Sequence, residues 1–316
     1  MSISKIKLIQ ELREEGAYGS DFRDVDLSYA NLRATDLQHG DFQGANFQHA
    51  DLRGASLRGA NLCGSKFLKA DLRQTMFKNA QMDHTTQIDP KWFAVWQLIN
   101  EGPVDEMLPS NDFSDAYLTS IDLAKVDCWG VNFDCANLRH ANFTNADLRG
   151  ASLLYIHGAE TLGLHGALRD EDTKFDPISE LIWQLVNGHA DVHDLSSIHL
   201  AEANLHHANF SHMHLCGANL KHTDLRSADF CSANLEQSDL LGADLRGANL
   251  QYANLNGVVL RGANLCGADF RDATLSHIDW FCTQYDHTTQ WPTGFSPQKA
   301  GAILVERDSS LLEFAH

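Results

Sequence analysis

The chain has 316 residues, a formal net charge of −18, 43% hydrophobic residues and seven cysteines. No apolar run reaches the roughly 20 residues that span a bilayer, so we expect no membrane insertion. The acidic excess disfavours direct binding of nucleic acid, which needs basic patches. The odd cysteine count is typical of reduced thiols rather than a disulfide framework, and the N-terminus lacks the apolar core of a secretory signal. We therefore expect a cytoplasmic protein.

The first element in the chain is a short helix. Residues 3–15 are expected to be helical, with Ile6, Leu8, Ile9 and Leu12 facing inwards. This helix is predicted to cap the open end of the repeat structure that follows, because such an end would otherwise expose unpaired backbone edges.

From residue 22 onwards a large apolar residue recurs at every fifth position, usually after Ala and then Asp or Asn, as in ADLRG at 243–247. The repeats form runs of thirteen, nine and eighteen, over residues 22–82, 113–153 and 195–280. Leu or Phe occupies 37 of these forty central positions. Period five matches neither the helix at 3.6 nor the strand at 2.0. It fits a short extended stretch followed by a corner, with the central residue and the Ala inside and successive coils paired in parallel at about 4.8 Å.

This pattern, A-[DN]-[LF]-x-x, resembles the pentapeptide repeat family over roughly 200 of the 316 residues. The resemblance implies an all-β solenoid, namely a right-handed quadrilateral parallel β-helix with four repeats per coil. We expect it in three runs that short α-helices interrupt and cap. The layout also looks like that of the multi-module pentapeptide repeat proteins common in cyanobacteria.

Each run is followed by a spacer that contains a helix-start signature, Asp or Ser followed by Pro. Trp96 and Trp183 open the related segments WQLIN and WQLVN, which we expect to cap the coils, and DHTTQ occurs at both 83–87 and 286–290. The predicted segments are an N-terminal helical cap (1–20), solenoid 1 (20–84), a spacer helix (85–110), solenoid 2 (111–155), a spacer with a helix (156–192), solenoid 3 (193–286) and a C-terminal helical cap (287–316).

Positions twenty residues apart share an outward column in such a coil. Several Arg residues fall in columns and follow an Asp or Asn by two positions, so we expect ladders of opposite charge, worth at most about 1 kcal/mol per exposed pair. The outward Trp129 is expected to pack under a spacer helix, or otherwise to anchor a partner. The candidate partner-contact residues are Trp129, Arg33, Arg53, Arg73, Arg226 and Arg246.

No motif of catalysis stands out from the repeat. The chain has no nucleophile elbow, phosphate loop, HExxH or CxxC, so we expect neither an enzyme nor a cofactor. Histidines cluster between residues 189 and 222, where a metal site would combine His189 with His193, or His206 with its neighbours His207 and His212. A metal site needs ligands that converge on one point, and the repeat sends most of these side chains to different faces, so no metal is expected.

The leading interpretation is a non-catalytic scaffold for protein–protein interaction, with a protein partner that the sequence does not identify. The alternative is a DNA-mimicking inhibitor or modulator of DNA gyrase, like the fluoroquinolone-resistance members of the family. Acidic charge favours the alternative. Two breaks in the repeat, and Arg columns beside the acids, oppose it, because a mimic needs an unbroken negative face.

Overall fold

Pentapeptides build coils of twenty residues in the computed structural model, which describes residues 3–306. Single residues pair in parallel with residues twenty positions later, as Asp51 does with Asp71 and Asp224 with Asp244. Four repeats therefore complete one coil. Within a coil the backbone N–H of the central residue donates to the next coil, as in Leu245 to the carbonyl of Asn264 at 2.8 Å.

The extended stretches are mostly too short to count as β-strands. Regular parallel strands occur in two pairs within residues 3–306: β1 (Ser152–Leu153) with β2 (Lys174–Phe175), and β3 (Gln284–Tyr285) with β4 (Ile303–Leu304). The predicted all-β solenoid is thus present as a coil of mostly isolated parallel bridges rather than as continuous sheets. The reason is the repeat itself, which turns after one or two paired residues.

Nearly every corner takes the left-handed conformation two residues after the central residue. Gly247 has a φ of 68°, as expected for a corner Gly, but Ala34, His222 and Tyr252 have φ of 54°, 54° and 60° at the same repeat position. A side chain in this region costs about 1–2 kcal/mol. The corner geometry is therefore imposed by the coil, and Gly only relieves it.

The core is formed by the central residues and the small residues two positions before them. Leu245 is 0% exposed, and central Phe residues stack across successive coils, as Phe47 and Phe67 do with ring centroids 4.8 Å apart. Phe210 and Phe230 repeat this stack at 4.8 Å. Burial of each such side chain contributes about 1.5–3 kcal/mol.

Between residues 3 and 306, four α-helices and one 3₁₀ helix accompany the coils: α1 (Ile3–Glu15), α2 (Pro90–Glu101), the 3₁₀ helix Ala159–Thr161, α3 (Pro177–Val186) and α4 (Pro297–Ala300). In α1, Leu12 is buried as predicted, but Ile6 is 52% exposed, so the predicted inward position of Ile6 is wrong. Across residues 3–306, no helix combines the length and apolar character needed to cross a membrane.

The chain forms two compact units. Unit 1 comprises Met1–Gly158 and Leu168–Asp176, and it holds the first two runs of repeats; unit 2 comprises Ala159–Ala167 and Pro177–His316, and it holds the third. Inside unit 1 the N–H of Gln74 donates to the carbonyl of Asp115 at 2.8 Å, which joins the first run to the second.

The ends of the second and third runs differ from the predicted boundaries. In unit 1, parallel pairing continues past residue 155, from Asp147 to Leu168 and between β1 and β2. After the third run, a helix of four residues and β4 occupy the predicted C-terminal cap as far as residue 306. The rest of that cap, 307–316, lies outside the described residues.

Candidate protein-interaction surface

The helix α3 bonds back to the backbone that precedes it. The indole Nε1 of Trp183 donates to the carbonyl oxygen of Ala167 at 2.8 Å. Asn187 donates from Nδ2 to the carbonyl of Leu164 at 3.0 Å and accepts the N–H of Gly166 at 2.7 Å. The Trp and the Asn of WQLVN thus satisfy three backbone groups that an open edge would leave unpaired.

The helix α2 makes the same three bonds in unit 1. Trp96 donates to the carbonyl of Ala80 at 2.8 Å, and Asn100 bonds the carbonyl of Phe77 at 3.2 Å and the N–H of Asn79 at 2.6 Å. The predicted capping role of Trp96 and Trp183 is therefore seen in both helices. Neither Trp is free to serve as a contact for a partner through its indole N–H.

An Asp-x-x-Thr motif closes a corner at each spacer. Asp286 is 3% exposed and accepts the backbone N–H of Gly267 at 3.0 Å and of Thr288 at 2.9 Å. The hydroxyl of Thr289 donates to the carbonyl of Leu265 at 3.1 Å. The motif therefore joins two successive coils through one carboxylate and one hydroxyl.

The same bonds occur at two earlier positions. Asp83 accepts the N–H of Gly64 at 3.2 Å, and Asp170 accepts the N–H of Gly150 at 2.8 Å. Hydrogen bonds, led by that from the Thr85 hydroxyl, lower the pKa of Asp83 to about 2. Sequence comparison found the copies at 83–87 and 286–290 but missed the one at 170–173, because that copy shares only its Asp and its last Thr with DHTTQ.

The predicted Arg ladders are present as pairs within and between coils. Arg53 donates from Nε and Nη2 to Asp51 at 2.8 and 2.5 Å, and its Nε lies 3.4 Å from Asp71 of the next coil. The side-chain hydrogen bond from Arg53 lowers the pKa of Asp51. Arg226 has the corresponding contacts, 2.6 Å to Asp224 and 3.9 Å to the acid of the next coil.

The other candidate Arg residues differ in how they are held. Arg73 and Arg246 form ion pairs of 2.6 Å with the Asp two residues before each of them. Arg33 is exposed and follows Asn31, whose side chain accepts the backbone N–H of Arg33 at 3.3 Å but carries no charge. The Arg residues with an Asp are thus engaged by the coil itself, and a partner role for all five Arg stays a prediction.

Trp129 is the candidate residue with a free aromatic surface. Its side chain is 67% exposed, so the expectation that it packs under a spacer helix is wrong. Its backbone N–H donates to Asp127 at 2.9 Å, which fixes the corner that presents the ring. The ring lines an open groove of about 270 Å³ with Met107, Pro109 and Val131.

The groove at Trp129 extends onto a short antiparallel turn. Val104 and Met107 pair with each other and are 62% and 65% exposed. The sequence pattern does not single out these two residues, because they lie outside the predicted runs of repeats in a spacer. The run EGPVDEMLPS was the available signal, since its Gly and two Pro residues indicate a turn that carries apolar residues.

The histidine-rich stretch makes ring contacts in unit 2. His206 and His207 stack with centroids 4.0 Å apart, and His165 lies 4.9 Å from His207. Burial lowers the pKa of both His206 and His207, and for His206 the neighbouring imidazole lowers it further. His189 instead stacks on Trp183 at 5.0 Å. Over residues 3–306, no three His, Cys, Asp or Glu are grouped so that they could hold a metal ion.

All seven cysteines are free thiols. Cys128 takes the central position of a repeat, which is Leu or Phe in 37 of the forty repeats, and it is buried. Burial, with smaller contributions from Asp127 and Asp147, raises the pKa of Cys128 to about 12. This thiol is therefore part of the core rather than a reactive group.

Comparison with protein families identifies the repeat. The family described as pentapeptide repeats matches in eight copies, at residues 20–59, 55–86, 112–150, 194–230, 223–262 and 248–279. Together these matches cover more than half of the chain. No curated protein matches it.

Several solved structures are similar to this chain. HetL from Nostoc sp. strain PCC 7120, a pentapeptide repeat protein involved in heterocyst differentiation regulation, shares 22% identity over 89% of this chain and 95% of its own, with a TM-score of 0.24. Another pentapeptide repeat protein from Nostoc PCC 7120 shares 31% identity over 40% of this chain and 94% of its own, with a TM-score of 0.24. Full-length QnrB1, a plasmid-mediated fluoroquinolone resistance protein, shares 13% identity over 85% of this chain and 92% of its own, with a TM-score of 0.21. At such TM-scores these similarities say nothing about the function of this chain.

Proposed function

The chain belongs to the pentapeptide repeat family, and we propose that it is a non-catalytic scaffold that binds another protein through its coil surface. We also propose the right-handed, quadrilateral form of the coil that the family resemblance implies. The observation that carries the scaffold proposal is the open groove in which the side chains of Trp129 and Met107 are exposed. Its lining is mixed, with Pro109 and Val131 beside the polar residues Ser110, Asn111 and Asp127.

A groove of this kind suits a protein partner for two reasons. Exposed Trp residues are enriched among the few side chains that contribute most of the binding energy at interfaces. Clustered exposed apolar side chains also mark interaction sites more often than single ones do. Trp96 and Arg53 are held by hydrogen bonds from their side chains. Within residues 3–306, no such side-chain hydrogen bond holds Trp129 or Met107. The groove is therefore the surface that we assign to the partner.

The test is affinity purification of the tagged full chain from its native cells, read by mass spectrometry. We expect a stoichiometric protein partner with the wild-type chain and with Tyr252→Ala, and its loss with Trp129→Ala. Tyr252 is the matched control, because it is an aromatic residue that is 59% exposed at a corner outside the groove. Equal recovery of the partner with both variants would move the contact away from Trp129. The absence of any stoichiometric partner for a folded wild-type chain would contradict the scaffold proposal.

The alternative function is a DNA-mimicking inhibitor of gyrase, and the net charge of −18 is the observation that favours it. Against it, Asp51, Asp71 and Asp224 are paired with Arg residues, so these columns do not present unbroken negative charge. A supercoiling assay with purified gyrase separates the two functions. We expect no inhibition, and inhibition at low micromolar concentrations of the protein would replace the scaffold proposal.

A cytoplasmic location stays a prediction.

A further inference from the structure

Unit 1 contains a cavity of about 80 Å³ at the junction of its two runs of repeats and α2. Arg58 and Lys78 contribute positive charge to its lining, and Thr119 contributes a hydroxyl. Met76, Phe77 and Ile99 contribute apolar surface. No Asp or Glu is among the lining residues of this cavity.

Arg58 differs from the ladder Arg residues because its own repeat lacks an acid. Ser56 stands two residues before it, where Asp51 stands before Arg53. The Nε atom of Arg58 is buried and has no hydrogen-bond partner in the described part of the chain, whereas the Nε of Arg53 donates to its Asp at 2.8 Å. The Arg58 guanidinium lies 5.9 Å from the centre of the Tyr117 ring, a neutral neighbour.

Two other lining residues of the cavity, Lys78 and Thr119, also lack an Asp or Asn two positions before them. Elsewhere an Asp or Asn accepts the backbone N–H two residues later, as Asp51 does for Arg53 at 3.2 Å. Met76 and Tyr117 stand at this position before Lys78 and Thr119. Among residues 3–306, no hydrogen-bond acceptor is found for the backbone N–H of Arg58, Lys78 or Thr119.

The wall of the cavity therefore holds several unpaired donors within residues 3–306. The buried Oγ1 of Thr119 also has no hydrogen-bond partner in residues 3–306. Leaving a buried donor unpaired is unfavourable, and more so for a charged group. A ligand that supplies acceptor oxygens and negative charge would remove this cost at Arg58 and Thr119.

We propose that this cavity binds a small aliphatic carboxylate, whose carboxyl group takes the place of the Asp that other repeats provide. A planar carboxylate matches the guanidinium fork, and Arg53 with Asp51 shows that pairing in the same unit. The volume of about 80 Å³ holds about three waters or an acid of a few carbons, since one water occupies roughly 30 Å³ in the liquid. The alkyl part contacts Met76, Phe77 and Ile99.

The experiment is calorimetric titration of the full chain with sodium propionate, with the neutral propionamide and with inorganic phosphate. We expect saturable binding of propionate at one site, at least tenfold weaker binding of propionamide, and no competition by phosphate. Arg58→Gln should weaken propionate binding at least tenfold. Arg33→Gln is the matched control and should leave it unchanged, because Arg33 also lacks an acid in its repeat but does not line the cavity.

Lys78→Gln provides a second variant, because Lys78 is exposed and its substitution should not disturb folding. It should weaken propionate binding severalfold. Equal binding of propionate and propionamide, unchanged binding in both cavity variants, or the absence of saturable binding would each overturn the proposal. Displacement of propionate by phosphate at equal concentration would overturn the assignment to carboxylates.

Discussion

The indole of Trp183 donates a hydrogen bond of 2.8 Å to the carbonyl oxygen of Ala167, and Trp96 donates an equivalent bond of 2.8 Å to Ala80. Each Trp lies on a spacer helix, and each acceptor lies at a backbone edge. Because an open edge leaves carbonyl groups unpaired, the Trp supplies a donor that the next coil would otherwise provide. The WQL[IV]N segment is thus a device for ending a run of repeats.

Removal of the Trp183 donor should destabilise unit 2. Trp183→Phe keeps most of the buried ring but leaves the carbonyl of Ala167 unpaired, and we expect a loss of about 1–2 kcal/mol in the free energy of unfolding. Urea denaturation followed by circular dichroism measures it. Trp129→Phe is the control, since Trp129 is exposed, and should change stability by less than about 0.5 kcal/mol. Equal effects of the two substitutions would contradict the capping role.

The Asp286 carboxylate should stabilise the fold through its hydrogen-bond acceptor oxygen rather than through its charge. Asp286→Ala leaves the N–H of Thr288 without its acceptor and leaves the N–H of Gly267 with only the Thr289 hydroxyl, at 3.2 Å. We expect a loss of about 1–3 kcal/mol in the free energy of unfolding. Asp286→Asn retains a side-chain oxygen at the Oδ1 position and should cost less than about 1 kcal/mol. Thermal melts of the three chains distinguish the cases. A loss with Asn as large as that with Ala would show that the charge, not the hydrogen bonds, stabilises the corner.

A charge in the Leu column should unfold the third run of repeats. Leu245 is fully buried, and Leu245→Asp places an unpaired carboxylate in the core, a change that costs more than about 4 kcal/mol. Leu241→Asp tests the same chemistry at a half-buried outward position and should cost less than about 1 kcal/mol. A circular-dichroism melt of Leu245→Asp that matches the wild-type melt would reject the inward orientation of the central residues.

Gly should stabilise a corner that now carries a side chain. Ala34 has a φ of 54°, so Ala34→Gly removes the steric cost of the left-handed region, about 1–2 kcal/mol, against the smaller entropic cost of Gly. We expect a net gain of about 0.5–1 kcal/mol in unfolding free energy. Ala45→Gly, at a buried position without positive φ, should lower stability by about 1 kcal/mol. Loss of stability in both variants, by chemical denaturation, would contradict corner strain.

The paired imidazoles should make unit 2 less stable at mildly acidic pH. Burial holds the pKa of His206 and His207 below the ordinary value of 6.5. The unfolded chain then binds more protons than the folded chain just below pH 6.5, so this stability is present above that pH and is lost as pH falls through the folded pKa. The Asp224 carboxylate opposes this lowering of the two imidazole pKa values, whereas Arg226 and the imidazole of His165 lower them further.

The readout is the difference between the wild-type chain and His207→Gln in thermal melts from about pH 7.5 to about pH 5.5. The wild-type chain should lose more stability on acidification than the variant does. His277→Gln is the control, because His277 lies in another part of unit 2 and bonds Asn256. Identical slopes for the wild-type chain and His207→Gln would show that the pair does not contribute.

The regular part of the fold could be predicted because its information is local. A five-residue pattern that places Leu245 inside also places its neighbours outside, and the same rule holds in every coil. Ile6 and Trp129 lie outside that rule or at an outward position, where the sequence does not say what covers them. Their exposure therefore differed from the expectation. The second run ends later than predicted, because Leu168 and β2 continue the parallel pairing without the five-residue spacing.

The sequence by itself determined the coil, its core, the positions of the spacer helices and the acids beside most of the Arg residues, because each follows from repetition of a short pattern. Only the tertiary structure decided which side chains remain available to contact a partner or a ligand. It bonds Trp96 and Trp183 to backbone carbonyls and leaves Trp129 in a groove. It also brings Arg58 and Thr119 to one cavity, since α2 interrupts the step of twenty residues and no fixed spacing along the chain connects the two.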